Sequence, residues 1–156
     1  MSEIWQDPEI INWTQNLLNS YENRLNRALI ERKSDLEEQA KSLFLAPFVV
    51  VSHGTENDPI FNYGNQIALD LWEISFLDLL KTPSRKTVKD TISEVERAKM
   101  LDTAKKKGYI DNYQGIRISS TGRLFKIENA IVWNITNAQG IYLGQAATFA
   151  EWQIFE

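Results

Sequence analysis

Apolar and polar positions divide the chain into a helical opening, a mixed middle and a strand-rich close. Over the first 45 residues, apolar side chains recur at Ile10, Ile11, Trp13, Leu17, Leu18, Tyr21, Leu25, Ala28 and Leu29, the spacing of a stripe along one helical face. Asp7 ahead of Pro8 offers a cap and a first helical residue whose missing N–H costs nothing. Ser34, with Glu37 three residues on, has the form of a capping box. It predicts a second helix or a kinked continuation over Asp35–Phe44, stopped by Pro47. A β-branched run then predicts a strand ending near Ser52, a turn-rich loop over His53–Pro59, and a second strand at Ile60–Gly64. Helical spacing returns with Ile67, Ala68, Leu71 and Trp72, followed by a shorter piece around Leu77–Leu80. A longer helix is predicted from about Thr87 to Lys107, with Ile92, Val95, Ala98, Leu101 and Ala104 inward and Gly108 as its C-cap. Three strand runs close the chain, at Tyr113–Ser119, Arg123–Ile135 and Ile141–Phe149, with connections short enough for antiparallel hairpins.

The long strand constrains how these elements pack. Its odd positions Phe125, Ile127, Ile131, Trp133 and Ile135 are apolar, but so are Leu124, Ala130 and Val132 on the even side. A sheet with one wet face would alternate more cleanly, so both faces are expected to be covered. The central helices can cover one. The amphipathic amino-terminal helix is the natural lid for the other, or part of a dimer interface. The expected division is a helical extension over residues 1–45 and an α+β domain over 46–156.

Composition narrows the function classes. A chain of 156 residues has one domain's length, and its 43% apolar and 24% charged residues are those of an ordinary globular domain. A net charge of −4 lacks the basic footprint of a nucleic-acid or anionic-membrane binder. No apolar run is long enough to cross a bilayer and the amino end lacks the features of a secretory signal, so a cytoplasmic location is expected. The absence of cysteine excludes disulfides, thiolate catalysis and cysteine-ligated metal sites, and the single His excludes imidazole clusters.

The order strand, strand, short helices, long helix and three antiparallel strands resembles a PAS domain. In "FVVVSHGTENDPIFNYGNQIALDLWEISFLDLL" a second strand ends at an Asn that starts a helix, and "STGRLFKIENAIVWNITNAQGIYLGQAATF" resembles the PAS close. More narrowly, "PFVVVSHG", "FNYGNQIALDLW", "TPSR" and "GQAATF" are similar to the MEKHLA domain, a PAS-like module. That family is known at the carboxyl end of certain plant homeodomain-zipper regulators and as small stand-alone bacterial proteins. The resemblance covers roughly Leu36 to Trp152. It implies a five-stranded antiparallel sheet with helices on one face, a cavity between them, and a role in sensing or protein association. Relatives with light-driven flavin chemistry need a Cys after the short helices, where this chain reads "LLKTPSRKT"; covalent flavin photochemistry is therefore excluded, non-covalent flavin binding not. Haem-binding relatives carry a His on the long helix, and this chain has none there, which argues against haem.

The remaining polar residues supply candidates for a site. His53 reads as a solvated turn residue; metal binding would require Glu56 and Asp58 beside it, and no metal site is expected. Asn65, at the second strand's junction with a helix, reads first as an N-cap, with a ligand contact as an added role. Asn129 interrupts the odd apolar face of the long strand, so it is expected to point into the core and to need a partner there. The parity of the last strand leaves Gln145 on either face. If a pocket exists, Asn129 with Trp72, Tyr63 and Trp133 is the expected lining, joined by Asn65 and Gln145. The competing reading is a filled core with one satisfied amide. Lys105, Lys106 and Lys107 complement the dipole at a helix end and stay solvated.

No nucleophile–base spacing, paired acid motif or nucleotide fingerprint is present, so no catalytic residue is assigned. The leading expectation is a sensory or interaction module, with a small apolar or aromatic ligand and self-association through the amino-terminal helix. Two alternatives stand beside it. One is a small cone-shaped enzyme of the ketosteroid-isomerase type, which would place an Asp or His base in its pocket. The other is a structural dimerisation domain without a cavity.

Overall fold

A computed structural model describes residues 2–32 and 35–155, with side chains at all of these but 91 and 92. The expectations placed on Ser34 as a cap and on Ile92 as an inward residue lie outside the described residues.

The helices are α1 (Pro8–Leu25), α2 (Leu36–Phe44), α3 (Gln66–Trp72), α4 (Phe76–Leu79) and α5 (Thr91–Lys107). The strands are β1 (Val49–His53), β2 (Phe61–Gly64), β3 (Tyr109–Ile118), β4 (Leu124–Thr136), β5 (Tyr142–Phe149) and β6 (Glu151–Ile154). They form one antiparallel sheet in the order β2-β1-β5-β4-β3, with β6 extending the line of β5 along β4. The sheet thus carries a short sixth strand that alternation alone does not reveal.

Local chemistry sets the boundaries. Asp7 accepts from the Glu9 amide and Pro8 follows it, so α1 starts where the sequence places it. It stops at Asn26, whose left-handed backbone (φ 57°) is a conformation Asn tolerates better than most residues. The helix is therefore shorter than its apolar stripe: Leu29 lies beyond it, half-buried against the core. Asp90 caps α5 and Gly108 (φ 95°) ends it, while Ser84–Thr87 forms a separate 3-10 turn.

Helix α1 lies on one face of the sheet. Tyr21 meets Trp133 edge-on at 5.0 Å, and the Trp13 indole donates to Ser52 Oγ at 3.0 Å. Ser20 Oγ accepts from the Thr136 amide at 3.0 Å. Ile10, Leu17, Leu18 and Tyr21 are buried within the chain itself, so the stripe that a second copy might have covered is already occupied. Helix α5 and the short α3 cover the opposite face, where Trp72 stands edge-on to Phe125 at 5.1 Å and to Phe149 at 6.2 Å.

One irregularity decides which residues face which layer. Asn129 and Asn112 both have left-handed backbone, with φ of 52° and 53°, and the β3–β4 register shifts beside each of them. An extra residue in a strand reverses side-chain parity beyond it. Phe125 and Ile127 therefore face the same layer as Ala130 and Val132, whereas Trp133 and Ile135 face α1. The expectation that Phe125, Ile127, Ile131, Trp133 and Ile135 share one face is corrected by this bulge.

Candidate functional site

A cavity of about 70 Å³ opens between the sheet and α5. Val51 and His53 of β1, Phe61 of β2 and Trp72 of α3 supply part of its wall, and Ile127, Val132 and Phe149 its floor. Helix α5 contributes Arg97, Met100 and Leu101, and β3 contributes Tyr113 and Arg117. The inward residues of α5 thus follow the series 97, 100, 101, 104, the i, i+3, i+4, i+7 of a helical face. Val95 is 60% exposed and Ala98 is exposed as well, so the face is rotated from the one predicted from apolar residues. Apolar spacing misses it because its first member is an arginine.

Of the six residues expected to line a pocket, Trp72 and Gln145 do so and four do not. Asn129 is exposed, its amide donating to the Glu151 carboxylate, because the bulge it forms turns it out of the core. The buried amide expected at Asn129 exists at Asn134 instead. Asn134 Nδ2 donates to Lys105 O at 2.9 Å, and its Oδ1 accepts from Gln145 Nε2 at 3.2 Å. Gln145 Nε2 also donates to Leu101 O at 2.9 Å, so the two amides tie carbonyls of the last turns of α5 to the sheet. Trp133 is fully buried on the α1 face, away from the cavity. Tyr63, paired with Ser52 in the β1–β2 register, is fully buried too, and burial pushes its hydroxyl's pKa far up. Neither lines the cavity.

Asn65 is a cap and more. Its Oδ1 accepts from the Ala68 amide at 3.3 Å and from the Val50 amide at 3.0 Å, and its Nδ2 donates to Phe48 O at 2.7 Å and Leu43 O at 3.2 Å. Both acceptor positions and both protons are used, which leaves nothing for a ligand. One side chain thereby fastens the start of α3 to β1 and to the end of α2.

His53 corrects the expectation of a solvated turn residue: it is the last residue of β1 and only 8% exposed. Its Nδ1 lies 3.0 Å from Gly54 O, a pairing that requires the proton on Nδ1 and leaves Nε2 a bare acceptor without a partner. Burial lowers its pKa, the Gly54 hydrogen bond opposes that in part, and Arg97 lowers it further against a small contrary effect of Glu56. Among the described residues no three metal-ligating side chains gather; Glu56 bonds the Ile60 amide and Asp58 pairs with Arg85.

The two arginines are the residues that sequence reasoning missed. Each is 8% exposed. Arg97 has one protein partner among the described residues, Ser84 Oγ, to which its Nη2 donates. Arg117 donates to Ile116 O at 3.0 Å and to the Tyr113 hydroxyl at 3.0 Å, and stacks over the Tyr113 ring. No described carboxylate lies within ion-pair distance of either; the ion pairs of the described residues involve Arg32, Arg85, Lys106 and Arg123. Burial pulls the Arg97 pKa down to about 10, with repulsion from Arg117 adding to it and Tyr113, Asp58 and Glu94 offsetting part. At neutral pH the guanidinium remains charged. Trp72 Nε1 is a further buried donor without a partner.

The model of the MEKHLA domain matches residues 11–154. Among solved structures, a PAS domain from Colwellia psychrerythraea is similar at 13% identity and TM-score 0.62, over 77% of this chain and 96% of that one. A Light-Oxygen-Voltage domain described with a flavin analogue aligns at 12% identity and TM-score 0.59, over 76% and 85%. The light-state dimer of the fungal blue-light photoreceptor Vivid aligns at 13% and 0.57, over 86% and 90%. At these identities the likeness is one of fold. No curated protein matches the sequence.

A flavin does not fit the residues present. Sites for ligands of that size enclose about 300–1,000 Å³, whereas this cavity measures about 70 Å³ and the chain has no cysteine to attack the ring. Haem is larger still than the space.

Proposed function

The chain belongs to the MEKHLA domain family, and from that premise we propose that it is a sensory module whose input is a small molecule held between the sheet and α5. The observation that carries this reading is the cavity's polar inventory. His53 Nε2 and Trp72 Nε1 are buried without partners, and neither of two buried guanidiniums has a described carboxylate within ion-pair distance. Buried polar atoms in native proteins are nearly always paired; two of the exceptions belong to residues of this cavity, beside two largely buried guanidiniums, and that combination is what supports a ligand site. Binding rather than catalysis is the reading we favour. The cavity holds one candidate base, His53, but no Asp or Glu, and the fold is like that of a PAS domain, which favours the binding reading over the cone-shaped isomerase alternative.

Residues 1–45 act, in this proposal, as a lid on a domain formed by 46–156, since the apolar face of α1 is buried on the sheet. Self-association would then use a surface other than the α1 stripe. No helix among the described residues is long and apolar enough to cross a membrane.

Native mass spectrometry of freshly purified protein tests the reading. A retained small molecule, released when Ala130 or Ala147 in the cavity wall is enlarged to Leu, is the expected result. A ligand-free dimer would move the assignment to a protein-interaction module. A ligand-free monomer that no small-molecule collection stabilises would overturn it.

A further inference from the structure

The geometry points to a specific chemical class for the cavity's occupant: a small organic carboxylate, its anionic group between Arg97 and Arg117 and a short apolar body against Trp72, Phe61, Val132 and Phe149. This inference rests on the ligand-binding reading above and sharpens it.

Three observations select the class. First, Arg97 of α5 and Arg117 of β3 come from opposite walls of one cavity, and each is nine-tenths buried. A buried charge without an ion-pair partner is among the more costly features a fold can keep; Asp58 and Glu94 offset only part of the cost at Arg97, and repulsion from Arg117 adds to it. An anion between them removes both penalties at once. Second, their unused donors suit a carboxylate. The Nε and Nη1 groups of Arg97 and the Nε group of Arg117 have no protein partner among the described residues. Planar guanidinium edges bind carboxylates in bidentate fashion. Tyr113 and Ser84 hold the other edges of the two arginines and fix their orientation. Third, the rest of the wall is apolar, which disfavours a bare inorganic anion that needs donors on all sides. The volume limits the body: a void of about 150 Å³ accepts benzene, and this one is about 70 Å³. A chain of a few carbons therefore enters only with some widening of the void.

Gly115 belongs to the same device. It lies between the two arms of the β3 pair, and a Cβ placed there would fall 2.8 Å from Arg117 Nη1 and closer still to the Tyr113 hydroxyl. The missing side chain lets Tyr113 and Arg117 meet across it.

The test uses the full chain and matched probes: butyrate against butyramide, with inorganic phosphate and sulfate as further arms, read by calorimetry and thermal shift. Butyrate is expected to bind and butyramide to bind at least about tenfold more weakly, since a charged hydrogen-bonded pair carries that much. Arg97→Met and Arg117→Met should each weaken butyrate about tenfold or more, Arg97→Lys should lose less, and Gly115→Ala should weaken it by pushing Tyr113 and Arg117 apart. Circular dichroism on each variant separates lost binding from lost folding. Equal binding of butyrate and butyramide, or butyrate binding unaltered in folded Arg97→Met, would overturn the acid class and leave the ligand-binding reading standing. Phosphate or sulfate binding in place of butyrate would overturn it in favour of an inorganic anion. Silence from every arm would overturn it outright, and the mass-spectrometric test above would then decide the broader reading alone.

Discussion

On one face of the sheet Tyr21 meets Trp133, Leu17 and Leu18 are fully buried, and no charged residue of α1 is buried as a whole. On the other, α5 brings Arg97 up to an apolar wall and β3 brings Arg117 to meet it. Both faces leave some indole or phenol groups unpartnered: Trp133 Nε1 and Tyr63 Oη lie outside the cavity, Trp72 Nε1 at it. Arg24 Nε of α1 is also buried without a partner, but only the α5 face buries whole arginine side chains, and these have no ion-pair partner among the described residues. Under the proposed function, the difference separates what folds this chain from what binds its ligand. Close packing without charge is what stability favours, and enclosed charge without a partner works against it. The first face reads as structural and the second as functional.

Removing the lid should break the comparison most severely. Deleting residues 1–33 exposes Trp133, Ile131 and the Ser52 row, so the truncated chain should aggregate or lose its cooperative melt, checked by light scattering and calorimetry. A soluble truncation with unchanged melting would show that α1 is no structural cover. Trp133→Ala probes the same face with one side chain. It should cost about 3–5 kcal/mol in chemical denaturation, the ordinary loss for a fully buried aromatic. Arg97→Met on the opposite face should change stability by no more than about 1 kcal/mol, or raise it, because it removes an unpaired buried charge. A loss as large as that of Trp133→Ala would mean that Arg97 is structural after all.

The smallest effect is one of pH. His53 has its pKa held below the ordinary 6.5, chiefly by burial. Between that lowered value and 6.5 the unfolded chain takes up a proton that the folded chain does not. Stability is therefore full above pH 6.5 and declines as pH falls through this window. His53 is the chain's single histidine, so His53→Gln should flatten the slope measured by denaturation between neutral pH and pH 5. An unchanged slope would rule His53 out as its source.

Much of the architecture was readable in advance because it rests on local signals. Asp7–Pro8, Asn65 and Gly108 each mark a helix end by their own chemistry, and the two covered faces followed from apolar residues on both sides of β4. The site was less readable, for two physical reasons. Parity counting carries across a strand only while the strand stays regular, and the bulge at Asn129 shifted the core amide to Asn134 and sent Trp133 to the opposite face. A helical face is found by its apolar members, and α5 turns Arg97 inward, so its true face was hidden by the residue that gives it its chemistry. Functional sites break the pattern that folding obeys. A signal was nevertheless present: Arg97, Met100, Leu101 and Ala104 have helical spacing once a cation is allowed inside.

The most direct test of the account follows the indole resonances of the protein by NMR during a butyrate titration. Trp72 stands at the cavity wall, while Trp13 and Trp133 lie on the α1 face of the sheet. The account predicts that the Trp72 indole and the Arg97 and Arg117 guanidinium signals shift together and saturably, with Trp13 and Trp133 unmoved. Shifts at Trp13 and Trp133 with Trp72 and the arginines unmoved would contradict it.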